Sequence, residues 1–345
     1  MLLKQQWYVA AMPDEVRREP LGRMICGEAL VLFRREDGSI VALQDQCPHR
    51  KYALSKGRVE GSEIVCLYHG LKFNGEGRCT FIPGQDRIPD TLKARVYPTV
   101  EKFGWVWIWM GDAGSAEESR IPDFSLNLAP GWKSVWGYLK IEGDYRIVLD
   151  NFLDLTHIGY VHAATIGNAP AAAVPMNVEP GEDYVRFTRF MVDVPPPPTF
   201  LKAVAFTGNI DRSQKARFLP PSNFQNDIRA VPTGTNDDAR GLRFVVNNSL
   251  TPETENSTHY FWAIPRNYRL DDDATGDVIR SENARAFEED KAVIEIQQKM
   301  MEIETPRTPI IPIKADAAAL AMRRVLERLE RLESGRIQPN SDIPT

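Results

Sequence analysis

Histidine is scarce in this chain, with five in 345 residues, and cysteine scarcer still, with four. Four cysteines could form at most two disulfides, and a Cys/His motif claims two of them. No apolar run approaches the roughly 20 residues that a membrane-spanning helix needs. The opening Met1-Leu-Leu-Lys-Gln-Gln-Trp7 lacks the apolar core of a secretion signal. These absences lead to the expectation of a cytoplasmic protein with no membrane partner. A net charge of -5 argues against broad nucleic-acid binding and leaves any charged docking patch local. No G-x-G-x-x-G follows a strand-like run, so the chain carries no dinucleotide fingerprint of its own. Internal repeats and low-complexity segments are missing as well. The length predicts about two domains, and 43% hydrophobic residues suffice for ordinary buried cores.

The scarce residues are concentrated. Cys47-Pro-His49-Arg and Cys66-Leu-Tyr-His69-Gly give C-x-H followed by C-x-x-H, each pair joining one thiolate to one imidazole. A cluster whose two irons differ, one held by sulfur and the other by histidine, needs that division. A structural zinc site is the rival, yet zinc sequences usually pair cysteine with cysteine and histidine with histidine. Cys26 and Cys79 lie in strand-like runs and read as buried free thiols without function.

Upstream, Trp7-Tyr-Val-Ala, Met24 to Phe33 and Ile40-Val-Ala-Leu read as strands, with a hairpin turn at Asp37-Gly38. This β framework carries the two motif loops. Arg50, Lys51, Lys56, Arg58 and Lys72 make their surroundings basic, either as a solvated surface or as a landing patch for an acidic electron carrier. Phe103 to Met110 alternates at period two, putting Phe103, Trp105, Trp107 and Trp109 on one side of a core strand. Periodicity then vanishes from Gly111 to Arg120, which reads as a linker. The expected domains are therefore 1–112 and 113–345.

The second chemical stretch runs from Arg146 to His162. It holds Asp150, Asn151, Asp154, His157 and His162 among Phe152, Leu153, Leu155 and Val161, so several polar groups face a partly buried site. Much of it reads as helix. The histidines stand five apart, wider than helical i, i+4 spacing, and a break near Gly159 would let them converge. Beyond it, Tyr184–Val192, Ala203–Phe206, Ala216–Leu219, Leu242–Leu250 and Thr258–Ile264 read as strands of an antiparallel sheet. His259 there is structural or a weak substrate candidate, as is Asn248. Residues 278–304 read as a long helix with Phe287, Ile294 and Ile296 inward, Asp290 on or beside that stripe, and Glu288, Glu289 and Lys291 toward solvent. Residues 315–334 form a last amphipathic helix. The fold class is α+β, an all-β domain followed by a helix-grip domain.

With both stretches in view, the chain resembles the catalytic subunits of Rieske non-haem iron oxygenases, in the compact group of vanillate O-demethylase and dicamba monooxygenase. The resemblance rests on the two Cys/His motifs, on Asp150-Asn-Phe-Leu-Asp154-Leu-Thr-His157 to Tyr160-Val-His162, on Thr251-Pro-Glu-Thr-Glu and Tyr260-Phe-Trp, and on Glu289-Asp290-Lys with Glu295. It implies that Cys47 and Cys66 bind one iron of a Rieske [2Fe-2S] cluster and His49 and His69 the other. It implies that His157, His162 and Asp290 form the facial triad of a mononuclear Fe(II), with positions open to O2. Asn151 corresponds to a polar residue near that iron. Asp154 corresponds to the aspartate linking His157 to a cluster histidine, here His69, of the neighbouring subunit in a head-to-tail homotrimer.

The resemblance also implies an aromatic monooxygenase that takes electrons from NADH through a separate reductase or ferredoxin. Its specific expectation is O-demethylation of a small aromatic acid, a methoxybenzoate such as vanillate, with release of formaldehyde. Benzylic methyl or ring hydroxylation is possible on the same scaffold. A non-catalytic electron-transfer or ligand-binding protein is the reading from another class, and it leaves the triad without a purpose.

Overall fold

The computed structural model describes residues 1–162, 174–303 and 308–336. It contains two compact units, Met1–Pro122 with Thr251–Glu255, and Asp123–Leu250 with Asn256 onward.

The first unit is built of short antiparallel strands: Trp7–Ala11 (β1), Leu21–Ile25 (β2), Glu28–Arg34 (β3), Ile40–Gln44 (β4), Arg58–Glu60 (β5), Glu63–Val65 (β6), Lys72–Phe73 (β7), Cys79–Phe81 (β8), Val96–Tyr97 (β9), Thr99–Lys102 (β10) and Trp105–Trp109 (β11). They form three sheets, ordered β1-β11-β10, β2-β3-β4-β9 and β5-β6-β7-β8. The turn at Asp37-Gly38 joins β3 to β4 as the sequence predicts. Every residue of β11 is buried, and its three tryptophans close the core, whereas Phe103 sits in the preceding turn at positive φ. Cys47 and Cys66 belong to a second apolar cluster with Phe33, Leu43, Leu54 and Phe73.

Residues 113–122 lack strand or helix periodicity, yet they belong to this unit. The Trp7 indole donates to the Glu117 carbonyl at 2.9 Å. Arg120 donates to the Gln5 carbonyl at 2.9 Å and lies over the Trp109 ring. The compact unit thus runs on past residue 112 because side-chain anchors, invisible to periodicity, tie that segment down.

The second unit is a seven-stranded antiparallel sheet. Its strands are Lys133–Ile141 (β12), Asn177–Pro180 (β13), Val185–Val194 (β14), Ile210–Leu219 (β15), Asn223–Pro232 (β16), Leu242–Pro252 (β17) and Thr258–Arg266 (β18). Their order is β12-β18-β17-β16-β15-β14-β13. Helices Tyr145–Leu153 (α1), Pro198–Ala203 (α2), Asp273–Ile303 (α3) and Ala317–Glu333 (α4) accompany it. The α+β class with an all-β N-terminal domain is the observed architecture.

Three local expectations are corrected. Strand β16 has no counterpart among the expected strands, because its inward positions include Asn226 beside Phe224 and Ile228. Ala203–Phe206 is not a strand: Pro198 starts α2 at a position where its missing N–H costs nothing, and the helix ends at Ala203. Ile296 on α3 is 63% exposed. From Phe287 on, the buried stripe of that helix is Phe287, Asp290, Ile294 and Gln298, steps of three and four that follow the 3.6-residue repeat and bypass 296.

Candidate metal centres

In the first unit the loop after β4 carries Cys47 and His49, and the loop after β6 carries Cys66 and His69. The second loop turns tightly: Gly70 N donates to Cys66 O at 2.9 Å with Gly70 at φ +72°, a conformation that glycine adopts without strain. Both thiols are buried and neither forms a disulfide. Both imidazoles are exposed, with ring centroids 4.6 Å apart. Burial pushes the Cys47 thiol up to about 11, with the neighbouring Cys66 sulfur adding to the rise, while the backbone N–H groups of His49 and Arg50 hydrogen-bond to the sulfur and oppose it. A sulfur wrapped in N–H donors but too buried to ionise alone fits a metal-bound thiolate. Sulfur below and imidazole at the rim fit a cluster with two unlike irons. Of the basic residues nearby, Arg50 and Lys51 are exposed, whereas Arg58 and Lys72 both pair with Glu60. Cys26 and Cys79 donate weakly to the carbonyls of Leu3 and Phe81, and Cys79 packs in the same apolar cluster as Cys47 and Cys66.

In the second unit α1 stops at Leu153, several residues before Gly159, and Asp154 adopts an extended conformation. A single 3-10 turn, His157–Gly159, follows. This break lets the imidazoles of His157 and His162 meet edge to face with centroids 5.2 Å apart. Helix α3 supplies Asp290, which is 7% exposed. The three donors lie within 4.8 Å of one another. Asp290 Oδ1 is 3.0 Å from His162 Nε2 and 3.4 Å from His157 Nε2, and it accepts from Asn151 Nδ2 at 3.1 Å. Two imidazole nitrogens converging on one buried carboxylate oxygen make a donor set that a cation could bridge, and two histidines with one carboxylate suit Fe(II).

The far nitrogen of each ring is anchored. His157 Nδ1 donates to the Asp154 carbonyl and His162 Nδ1 bonds Glu289 Oε2 at 2.8 Å, which leaves both Nε2 atoms facing Asp290. Burial lowers the pKa of His157. Burial acts on His162 in the same sense, but Asp290 and Glu289 outweigh it and raise the net value. Glu289 therefore faces inward and orients a ring, contrary to the solvent position expected for it. Helical arithmetic put Asp290 on or beside the buried stripe and gave Glu289 to solvent; the partner histidine is what turns Glu289 inward.

Asp154 approaches His157 through its backbone carbonyl. Its carboxylate instead accepts from Thr156 N at 2.8 Å and Thr156 Oγ1 at 2.7 Å, closing the turn after α1. Asn248 on β17 lines the cavity beside the triad, its side-chain oxygen accepting from the Tyr260 hydroxyl at 2.6 Å. His259 is not among the residues that line it. Alternation along β18 turns His259 toward Tyr138, whose hydroxyl is 2.9 Å from His259 Nδ1, while Tyr260 and Trp262 pack on Phe287 of α3.

That cavity has aromatic walls, among them Phe152, Phe200, Phe224 and Phe244. Its polar lining includes Arg212 and Gln214, which no sequence argument singled out. The signal was present: residues 210, 212, 214, 216 and 218 of β15 are Ile, Arg, Gln, Ala and Phe, and the apolar ends fix all five as inward.

Comparison with known proteins agrees with both centres. The Rieske [2Fe-2S] domain model matches residues 6–98, and the vanillate O-demethylase oxygenase C-terminal domain model matches residues 141–332. The toluene-4-sulfonate monooxygenase system iron-sulfur subunit of Comamonas testosteroni is 36% identical over 98% of this chain and all of its own. A vanillate O-demethylase oxygenase subunit of a Pseudomonas species is 33% identical over 95% of each chain. The crystal structure of dicamba monooxygenase with non-heme iron and dicamba superposes with a TM-score of 0.84 at 32% identity, covering 97% of this chain and 99% of that one. The chain thus belongs to the Rieske non-haem iron oxygenases of the vanillate O-demethylase and dicamba monooxygenase group, enzymes that use a Rieske [2Fe-2S] cluster and a mononuclear iron.

Proposed function

We propose that this oxygenase O-demethylates a methoxybenzoate such as vanillate, with Cys47, His49, Cys66 and His69 holding the cluster and His157, His162 and Asp290 the mononuclear Fe(II). The observation that carries the reading is the triad opening onto a cavity with aromatic walls, a lining that suits a flat ring. When bound, the two metal groups supply electron storage and dioxygen activation. The residues of the chain do the rest. Aromatic side chains hold the ring, Asn151 and Glu289 fix the orientation of Asp290 and His162, and the packed walls decide which carbon faces the triad.

The overall change balances as one O2, two electrons and two protons giving a hydroxylated methyl carbon and water. The hemiacetal then expels formaldehyde and leaves a phenol. The electrons come from NADH through a separate reductase or ferredoxin, in line with a relative named as the iron-sulfur subunit of a monooxygenase system, and a cytoplasmic location goes with that supply. No helix among the described residues is long and apolar enough to cross a membrane. A head-to-tail homotrimer, in which Asp154 meets His69 of the neighbour, completes the reading.

Benzylic methyl hydroxylation is the second reading. It is favoured by the relative acting on toluene-4-sulfonate, whose only saturated carbon is a ring methyl. An anaerobic single turnover decides. Enzyme reduced at its cluster meets oxygen with methoxybenzoates, methylbenzoates and unsubstituted aromatic acids, and products are followed by mass spectrometry. Phenol with formaldehyde from a methoxy substrate is the expected result. A benzylic alcohol or ring-hydroxylated product from the same panel, with no demethylation, overturns it.

A further inference from the structure

The cavity wall contains a buried cation without a counter-ion. Arg212 is 8% exposed, its Nε has no hydrogen-bond partner, and among the described residues it makes no ion pair. Its guanidinium lies over the Phe200 ring, 4.8 Å from the centroid. The charge that bears on it is a second cation, Arg189 on the adjoining strand β14, which is 3% exposed. Arg189 donates through Nε and Nη2 to Gln214 Oε1 at 3.0 and 2.6 Å. That geometry turns the Gln214 amide so that its oxygen is occupied and its NH2 is left to donate. Burial, with Arg189 nearby, brings Arg212 down to about 9, so it still carries its charge at neutral pH.

The other charged groups lining the cavity are engaged. Glu282 pairs with Lys202, and Asp290 lies against His157 and His162. A desolvated guanidinium with no anion destabilises the fold, and a fold retains such a group where the missing partner arrives from outside. A planar fork suits a carboxylate or sulfonate, and the adjoining aromatic walls suit the ring that bears it.

We propose that Arg212, supported by Gln214 and Arg189, receives the anionic substituent of the aromatic substrate and thereby sets which end of the ring faces His157, His162 and Asp290. This rests on the reading of the substrate as an aromatic acid and adds to it the group that recognises the acid. The recognised chemistry is an oxyanion directly attached to the ring, and carboxylate and sulfonate are its two sources.

The test uses anaerobic holoenzyme and two matched pairs, 4-methoxybenzoate with 4-methoxybenzamide and toluene-4-sulfonate with toluene-4-sulfonamide, with binding followed by calorimetry. Wild type is expected to prefer at least one anion over its amide by about 30-fold or more, the scale of a buried charge pair. Arg212→Met is expected to lose that preference, with amide binding held within about threefold, and Arg212→Lys to fall between. Without ligand, Arg212→Met should melt no lower than wild type, since an uncompensated charge has been removed. The rise in Tm that the anion gives wild type should vanish. The pair that shows the loss identifies carboxylate or sulfonate. An Arg212→Met variant that keeps its preference for the anion overturns the assignment and leaves the aromatic-acid reading standing, whether or not its Tm falls. Wild type that binds neither anion better than its amide overturns both.

Discussion

Gly137 and Trp262 face each other across β12 and β18, and the contact tests how the sheet positions the candidate iron ligands. A Cβ added at Gly137 would lie 1.9 Å from Trp262 Cζ2 and 2.2 Å from Cε2. Ordinary carbon contacts need about 3.5–4.0 Å, so the indole must retreat by roughly 1.5–2 Å. It has no flexible end to yield. The ring is 2% exposed and packs on Phe287 at 5.4 Å between centroids. Overpacking of this kind costs about 1–3 kcal/mol, and complete expulsion of an indole burying about 200 Å² costs about 5 kcal/mol. We expect Gly137→Ala to lose about 3 kcal/mol, or about 6–12 °C in Tm for a unit of this size. Phe287 precedes Asp290 by one helical turn, so iron per chain should fall while the cluster absorbance stays. Trp262→Leu in the same chain should recover part of the loss, and the two costs should not add. Calorimetry and metal analysis give both readouts. A Gly137→Ala variant that melts within about 1 °C of wild type with full iron refutes this account of the packing.

Glu289→Ala should weaken iron binding about 10–100-fold by freeing the His162 ring, measured by competition with a chelator; unchanged affinity would show that the Glu289 contact does not tune the metal. Asp154→Asn should keep cluster colour and iron yet lose most turnover, and a fully active variant would remove Asp154 from the electron path. Glu28 provides the pH test. Burial raises its pKa, but hydrogen bonds from Lys4 and Tyr97 and the charges of Lys4 and Arg95 more than offset this, so the folded value lies below 4.5. Its contribution is therefore present above pH 4.5 and is lost as pH falls through the lower folded value. Glu28→Gln should cost about 1.5 kcal/mol at pH 7, with the gap to wild type closing in denaturation curves as the pH falls below 4.5. A gap independent of pH would contradict it.

Much of the site was legible because metal ligation imposes rare residue types at fixed spacings. Two thiolate–imidazole pairs and two close histidines stand out in a chain with five histidines. Asp290 emerged from helical arithmetic and its role from the family resemblance. What escaped were positions decided by partners far away in sequence. Glu289 turns inward because His162 is there, and Asp154 presents its carbonyl because Thr156 takes its carboxylate. Arg212 and Gln214 were overlooked because strand reading looks for alternating apolar residues, and a polar pair in the middle of an inward face reads as solvent. Asn226 hid β16 in the same way.

The excursion Thr251–Glu255 bears on how the chain is made. Pro252 and Glu253 accept backbone hydrogen bonds from Cys26 and Gly27 at 2.7 and 2.9 Å, and the Thr251 hydroxyl donates to the Val9 carbonyl at 2.7 Å. The cluster-bearing unit is thus unfinished when ribosomal synthesis has passed residue 122, and it waits for more than a hundred further residues before its last contacts exist. A chain that stops after the Rieske motif therefore lacks the residues that meet Val9, Cys26 and Gly27, so the first unit is closed by a segment made much later.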